Sequence, residues 1–311
     1  MKIHFIGIGG IGMSGLAKIV TVRGDAVSGS DLAPSAFPGA KTGHAAENLP
    51  EGTELVVRSA AIKDDNAEVV EARRRGVPVI KYAEMLGRIS QDKATIAVAG
   101  CHGKTTTTSM VAYILSRAGF EPTYVCGGVI SQLGSNAAPG GGKHFVVEAC
   151  EYDRSFLNLS PACAVITNIE EDHLDYYKDI TEIVAAFREF AGKSSGPVIA
   201  SADNGPAAAI AAELKGKGET FSTEKDADWR ARINAASALT LASACRDSSL
   251  LPIFTPNSFS SFNTSSSASI ESRPKRGEPK SASSSGMSSG RTSSSFSVST
   301  ISTFSRAARG S

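Results

Sequence analysis

The sequence predicts an α/β protein with two parallel-sheet units in tandem, followed by a tail of different composition. Three observations predict it. From Met1 to about Asp92, β-type runs alternate with helical ones, the pattern of a parallel sheet with helices on its faces. The same alternation restarts near Lys93 and includes a glycine loop. After Asn234 the periodicity stops and serine dominates.

The elements follow in order. In residues 1–92, KIHFIGI reads as a strand, GMSGLAKIVTVRG as a helix closed by Gly24, and AVSGSD as a strand. ELVVRSAAI is the next strand, NAEVVEARRRG a helix of apolar spacing that again ends in glycine, and VPVIKY a strand. In residues 93–234, strands are expected at TIAVAG, PTYVCGG, HFVVEAC, CAVITNI and PVIASA. Amphipathic helices are expected at TTTTSMVAYILSRAG and ITEIVAAFREFAGK. Residues 235–311 hold few acids and no apolar period that lasts two turns. Such a segment buries too little surface to offset the entropy of ordering it, so disorder is expected there. The abrupt break after DADWRARIN also fits an out-of-frame read.

Composition limits the function classes. The 311 residues carry 32 basic and 31 acidic side chains, a net charge of +1. That balance leaves no electrostatic footprint for nucleic acid or an anionic membrane. No apolar run approaches the roughly 18 residues a spanning helix needs. The glycines of the apolar N-terminus argue against a signal peptide, so a cytoplasmic protein without membrane insertion is expected. The five cysteines, Cys101, Cys126, Cys150, Cys163 and Cys245, are odd in number and lack CxxC spacing. They read as reduced thiols rather than a disulfide frame or a zinc site.

Two glycine loops carry the chemistry. Gly7-Ile8-Gly9-Gly10-Ile11-Gly12 fits G-x-G-x-x-G between a strand and a helix. Asp31 ends the next strand, about 20 residues on, where it can accept hydrogen bonds from a sugar hydroxyl. By pattern alone the ligand is NAD, and any nucleotide diphosphate meets the same amides. The second loop, Gly100-Cys101-His102-Gly103-Lys104-Thr105-Thr106, is a shortened phosphate loop. Its amides cradle phosphates, Lys104 reaches the outer phosphate oxygens, and Thr105 or Thr106 offers a hydroxyl to Mg²⁺. Cys101 reads as a small side chain filling a loop position, and His102 lies where it can touch the nucleotide.

Downstream, Glu148 ends the apolar strand FVVE, where a phosphate-loop fold needs an acid for Mg²⁺ or its waters. The strand AVITN, ending at Asn168, leads into IEEDHLD. There His173 lies between Asp172 and Asp175, past the end of a parallel strand. It suits either a divalent ion or a solvated loop with a capping Asp. His4, inside a strand, reads as structural, and Trp229 as core or boundary.

These segments resemble the Mur ligases, the ATP-dependent amide-forming enzymes of bacterial peptidoglycan precursor synthesis. The resemblance rests on HFIGIGGIGMSGLA at 4–17, VSGSD at 27–31, SAAIKDDNAEV at 59–69 and GCHGKTTTT at 100–108. It continues through GSNA at 134–137, VVEACEYDRSFL at 146–157, AVITNIEEDHLDYY at 164–177 and ADWRARIN at 227–234. It covers about residues 1–234 and is greatest to the branch that joins L-alanine to UDP-N-acetylmuramate.

The resemblance implies a Rossmann-like domain over 1–92 that holds a UDP-sugar, not NAD, through Gly7, Gly9, Gly12 and Asp31. It implies an incomplete ATP-binding central domain over 93–234. In the family, ATP phosphorylates the lactyl carboxylate of UDP-N-acetylmuramate and the amino group of L-alanine attacks the acyl phosphate. Carried over by motif, Lys104 neutralises the γ-phosphate, and Thr105 and Glu148 serve one Mg²⁺. His173 serves Mg²⁺ on the acyl-phosphate side, and Asn168 contacts substrate or metal. No protein partner is expected. Family members also carry the rest of the central domain and a closing C-terminal domain, neither visible after Asn234, which implies little turnover by these residues. The family's peptide-recycling ligase is a sibling reading, disfavoured by the short spacing between EACEYDRSFLNLSP and AVITNIEEDHLDYY. A non-catalytic nucleotide or UDP-sugar-binding remnant is another, and an NAD-dependent oxidoreductase leaves the second loop unexplained.

Overall fold

The computed structural model describes residues 1–233, 268–272 and 292–296. The chain divides into two compact units, Met1–Val198 and Ile199–Ser311.

The first unit opens with β1 (Lys2–Ile6), α1 (Ile11–Val22), β2 (Ala26–Asp31) and the short β3 (Lys41–Thr42). Next come β4 (Leu55–Arg58), α2 (Ala67–Arg74), β5 (Val79–Lys81) and α3 (Tyr82–Ser90). The strands form one sheet in the order β3-β2-β1-β4-β5, with every pair parallel. A central parallel strand is covered on both faces and so reads as a continuous apolar run. β1 fits, with Ile3, Phe5 and Ile6 all buried. One core cluster joins Ile6, Leu49, Val56, Val69 and Ala72. α2 starts at Asn66, whose side chain accepts from the Glu68 and Val69 amides, satisfying donors a helix start leaves open.

The expected order of strands and helices holds, with three differences, the first being β3, a two-residue strand where none is expected. β4 stops at Arg58 rather than running to Ile62, because the chain turns there and the Ile62 amide donates to the Ser59 carbonyl. The helix α3 forms where no helix is expected after the strand VPVIKY. It begins directly after β5, where the Glu84 carboxylate accepts from the Lys81 amide at 2.7 Å.

The second sheet of this unit uses β6 (Ala94–Ala99), α4 (Lys104–Arg117), β7 (Thr123–Ile130), β8 (Ser135–Ala138), β9 (His144–Glu148), β10 (Cys163–Ile166) and α5 (Ile180–Gly192). The order is β10-β6-β9-β7-β8. All pairs are parallel except β7 with β8, an antiparallel hairpin. Ala112, Tyr124, Cys126, Ile130 and Val146 form its core under α4. The two sheets meet where the Asn136 side chain donates to the Ile11 carbonyl at 2.9 Å. Lys81 adds a 2.7 Å ion pair to Asp153.

The second unit contains β11 (Val198–Ser201), which starts at its boundary, α6 (Gly205–Glu213), β12 (Gly218–Ser222) and β13 (Trp229–Ile233). Two short strands follow, β14 (Ala268–Ser272) and β15 (Thr292–Phe296). β12 pairs with β13 in parallel, and β13-β14-β15 is antiparallel. Trp229 is a boundary residue, 41% exposed, with its indole N–H on the Glu219 carboxylate. Apart from β14 and β15, the disorder expected of 235–311 concerns residues outside those described. Among the described residues, no helix is long and apolar enough to cross a membrane.

A polar network is sealed inside the first sheet. His4, Ser30 and Glu68 are each 0% exposed. Glu68 meets the His4 Nε2 at 2.7 Å, accepts from the Ser30 hydroxyl at 2.7 Å and meets the His44 Nδ1 at 3.0 Å. Burial pushes the Glu68 pKa up, but the hydrogen bonds from His4 and Ser30 outweigh it and hold the carboxyl below its ordinary value. A depressed folded pKa gives stability that is full above the ordinary 4.5 and is lost as pH falls through the folded value. Unfolding in urea should therefore show stability falling as pH drops below 4.5, and a flatter profile in Glu68→Gln. Glu68→Ala removes the carboxylate that His4 and Ser30 bond inside a buried network and should cost about 1–3 kcal/mol at neutral pH. A loss under about 1 kcal/mol, that of an ordinary hydrogen bond, would contradict the network's role.

Candidate phosphate and metal site

The loops after β6, β9 and β10 lie at the carboxyl ends of adjacent parallel strands, where open α/β sheets bind ligands. The loop after β6 is Gly100–Gly103, and Gly103, with φ +79°, starts α4 without a side-chain cap. An uncapped helix start presents free amides and the positive end of the helix dipole, an anion site. Gly100 has φ +142°, and a Cβ there would lie 2.0 Å from the Thr167 hydroxyl. Only glycine allows this contact with the loop after β10.

That second loop holds the first in shape. The Thr167 hydroxyl donates to the His102 carbonyl at 2.6 Å, and the Asn168 Oδ1 accepts from the His102 amide at 2.8 Å. Asn168 thus braces the phosphate loop. The His102 ring points outward, 69% exposed, 3.6 Å from Glu170. Thr106 is exposed on the first turn of α4.

Thr105 and Glu148 come together as expected. The Thr105 hydroxyl donates to the Glu148 Oε1 at 3.0 Å, and the Gly127 amide donates to the Oε2 at 2.7 Å. Two hard oxygen donors side by side at a helix start fit Mg²⁺, which favours oxygen and retains waters.

Lys104 is placed by Glu151, a residue that no sequence motif singles out. Its Nζ donates to the Gly100 carbonyl at 2.6 Å and to the Glu151 Oε1 at 2.8 Å. Glu151 is 1% exposed. The same Oε1 lies 3.5 Å from the His173 Nε2. One buried carboxylate therefore faces both the phosphate-loop lysine and the histidine. The only local signal was the second acid of EACE, three residues after Glu148.

His173 has φ +53°, a left-handed conformation that is unfavourable for a side chain and is held at functional sites by surrounding bonds. Here its amide donates to the Asp172 Oδ1 at 2.8 Å, and its carbonyl accepts from the Tyr176 and Tyr177 amides. The Tyr177 hydroxyl donates to the Glu151 carbonyl at 2.5 Å. Cys101 lies beneath the loop, 8% exposed, with its Sγ accepting from the Glu170 amide at 3.2 Å. Burial pushes its thiol pKa up.

The first glycine loop forms a second concavity of about 440 Å³, lined by Gly7, Gly9, Asp31, His44 and Ser59 among others. The Gly9 amide donates to the Asp31 Oδ2 at 2.8 Å, and a Cβ on Gly9 would lie 2.9 Å from that oxygen. Gly12 packs against Tyr82, whose hydroxyl would be 3.0 Å from such an atom. An adjoining hollow of about 220 Å³, lined by Gly10, Gly12, Tyr82, Asp153 and Ser155, extends toward the second sheet.

The chain is similar to known proteins over most of its length. A model of the Mur ligase family, catalytic domain, matches residues 2–94, and one of the Mur ligase middle domain matches 98–253. The curated UDP-N-acetylmuramate–L-alanine ligase of Geotalea uraniireducens (strain Rf4) is 49% identical over 240 residues, 74% of this chain and 52% of that protein. The chain spans about half the length of the curated relatives it matches. The solved UDP-N-acetylmuramate-alanine ligase of Thermotoga maritima aligns with a TM-score of 0.66 at 31% identity, covering 75% of this chain and 54% of that one. The UDP-N-acetylmuramate:L-alanyl-gamma-D-glutamyl-meso-diaminopimelate ligase of Neisseria meningitides aligns at 0.64 and 30%, covering 75% and 81%.

Gly100→Ala tests the loop's construction. Its Cβ cannot share space with Thr167 Oγ1 at 2.0 Å, so either the loop or β10's exit must move. Thermal or urea unfolding should show a loss of about 1–3 kcal/mol, the range for a strained backbone position. An unchanged midpoint would contradict the contact.

Proposed function

The chain belongs to the Mur ligase family, and from that premise we propose that it supplies the sugar-nucleotide and ATP sites of a UDP-N-acetylmuramate–L-alanine ligase. The family makes amide bonds at the expense of ATP. In the proposed reaction, L-alanine's nitrogen replaces an oxygen of the lactyl carboxyl group, which is first activated as an acyl phosphate.

The Thr105–Glu148 pair carries the reading. Its oxygens lie 3.0 Å apart at an uncapped helix start, where they would hold Mg²⁺ against a bound triphosphate. Bound there, the ion supplies charge neutralisation of the phosphates. The amides at the start of α4 orient the phosphate chain, and Lys104 faces the outermost phosphate once it turns from Glu151. His173 stands beyond Glu151, toward the carboxylate to be activated. Asn168 and Thr167 brace the loop backbone, so its amides are oriented before the phosphates arrive. The hollow from Gly9 and Asp31 past Tyr82 to Ser155 suits a UDP-sugar whose diphosphate sits at the first loop. A cytoplasmic site of action accords with soluble, nucleotide-linked substrates. The structural likeness to the peptide-recycling ligase is nearly as great, while the curated relatives' names favour L-alanine.

Calorimetric titration of the whole chain with MgATP tests the site. Saturable binding is expected, weakened at least about tenfold in Lys104→Ala, the loss of one charge-assisted hydrogen bond of about 1.5–3 kcal/mol. Absence of binding, or equal binding in the variant, would contradict the assignment.

A further inference from the structure

Cys101, Glu151 and Asp172 are brought together from three separate loops. One ligand atom from each lies within 4.8 Å of the other two. Because the grouping is tertiary, cysteine spacing along the chain cannot reveal it. Glu151 is buried, and while Lys104 occupies its Oε1, its Oε2 has no hydrogen-bond partner. A buried carboxylate oxygen left alone is costly, and its natural complement is a cation.

We propose that Cys101, Glu151 and Asp172 bind a thiophilic divalent cation of the zinc type, separate from the Thr105–Glu148 oxygen pair. The donor set decides the class. Mg²⁺ takes oxygen ligands and discriminates against sulfur, whereas a thiolate with carboxylates suits zinc and its softer neighbours. With metal–ligand bonds of about 2.0–2.3 Å, ligands around one zinc ion stand about 3–4 Å apart, so side-chain adjustments of about an ångström close the site. On binding, Cys101 releases its thiol proton to solvent and the sulfur bonds the metal. The Glu170 amide already donates to that sulfur at 3.2 Å and would support the thiolate. The Asp172 Oδ1 is fixed by the His173 amide at 2.8 Å. The fourth position falls to water or to the His173 imidazole, whose Nε2 is 3.5 Å from Glu151. An ion on the free Oε2 shares the Glu151 carboxylate with Lys104 on Oε1 and so ties the phosphate loop to metal occupancy.

The test uses Co²⁺ as a spectroscopic stand-in, added to the whole reduced chain. A thiolate-to-cobalt charge-transfer absorption is expected at one ion per chain, abolished by Zn²⁺ and unaffected by a large excess of Mg²⁺. C101S should abolish the band, while C126S, C150S, C163S and C245S should each retain it. E151Q and D172N keep the thiol and should weaken cobalt affinity at least tenfold, which covers the case in which C101S fails to fold by circular dichroism. Absence of the band in the unsubstituted chain, its survival in C101S, or full affinity in both E151Q and D172N would overturn the proposal. None of these readouts requires ligase activity.

Discussion

The contact between Lys104 and Glu151 is the constraint on which the site depends. Lys104 must carry a positive charge beside a phosphate loop, yet its side chain is only 15% exposed. A charge so far out of water persists only with a partner and well-placed hydrogen bonds. Glu151 is that partner, and the Gly100 and Cys101 carbonyls supply further acceptors. Glu151 is placed in turn by Tyr177, which packs 1% exposed in the core and bonds its carbonyl. The phosphate loop, the turn after β9 and the loop after β10 thus close around one carboxylate.

The sheet beneath makes this convergence possible. β10, β6 and β9 are adjacent and parallel, so their carboxyl ends deliver three loops to one edge. The strands supply rigidity and the loops supply chemistry. Left-handed backbone at Asp153, Arg154 and His173 marks where the chain bends to bring the acid and the histidine into position. Arg154 holds one of these bends to α5 through a 2.9 Å contact with Glu182.

Much of the fold was legible because its signals are local. Strand-helix alternation reports which segments are covered on both faces, and each glycine loop states its own geometry. Thr105 and Glu148 were legible for the same reason, since a phosphate loop and a strand-ending acid are short motifs. The helix α3 was hidden because it follows β5 with no intervening loop. β8, the sequence SNAA, was hidden because a polar four-residue strand shows no alternation and exists only through its hairpin with β7. Glu151 follows a strand in an irregular turn, where no period assigns a direction to its side chain. Its burial and its neighbours Lys104 and His173 come from segments far apart in the chain. Asn168 was picked out for a contact with substrate or metal, but its bond to the His102 amide depends on the register between β10 and β6, which no single segment encodes.

A double-mutant cycle with Lys104→Met and Glu151→Gln, read by urea unfolding, measures the central contact directly. The account predicts that the two changes are strongly non-additive, with a coupling energy above about 1 kcal/mol, as expected for residues in direct contact in one buried network. Additivity within about 0.3–0.5 kcal/mol, the behaviour of independent sites, would contradict it.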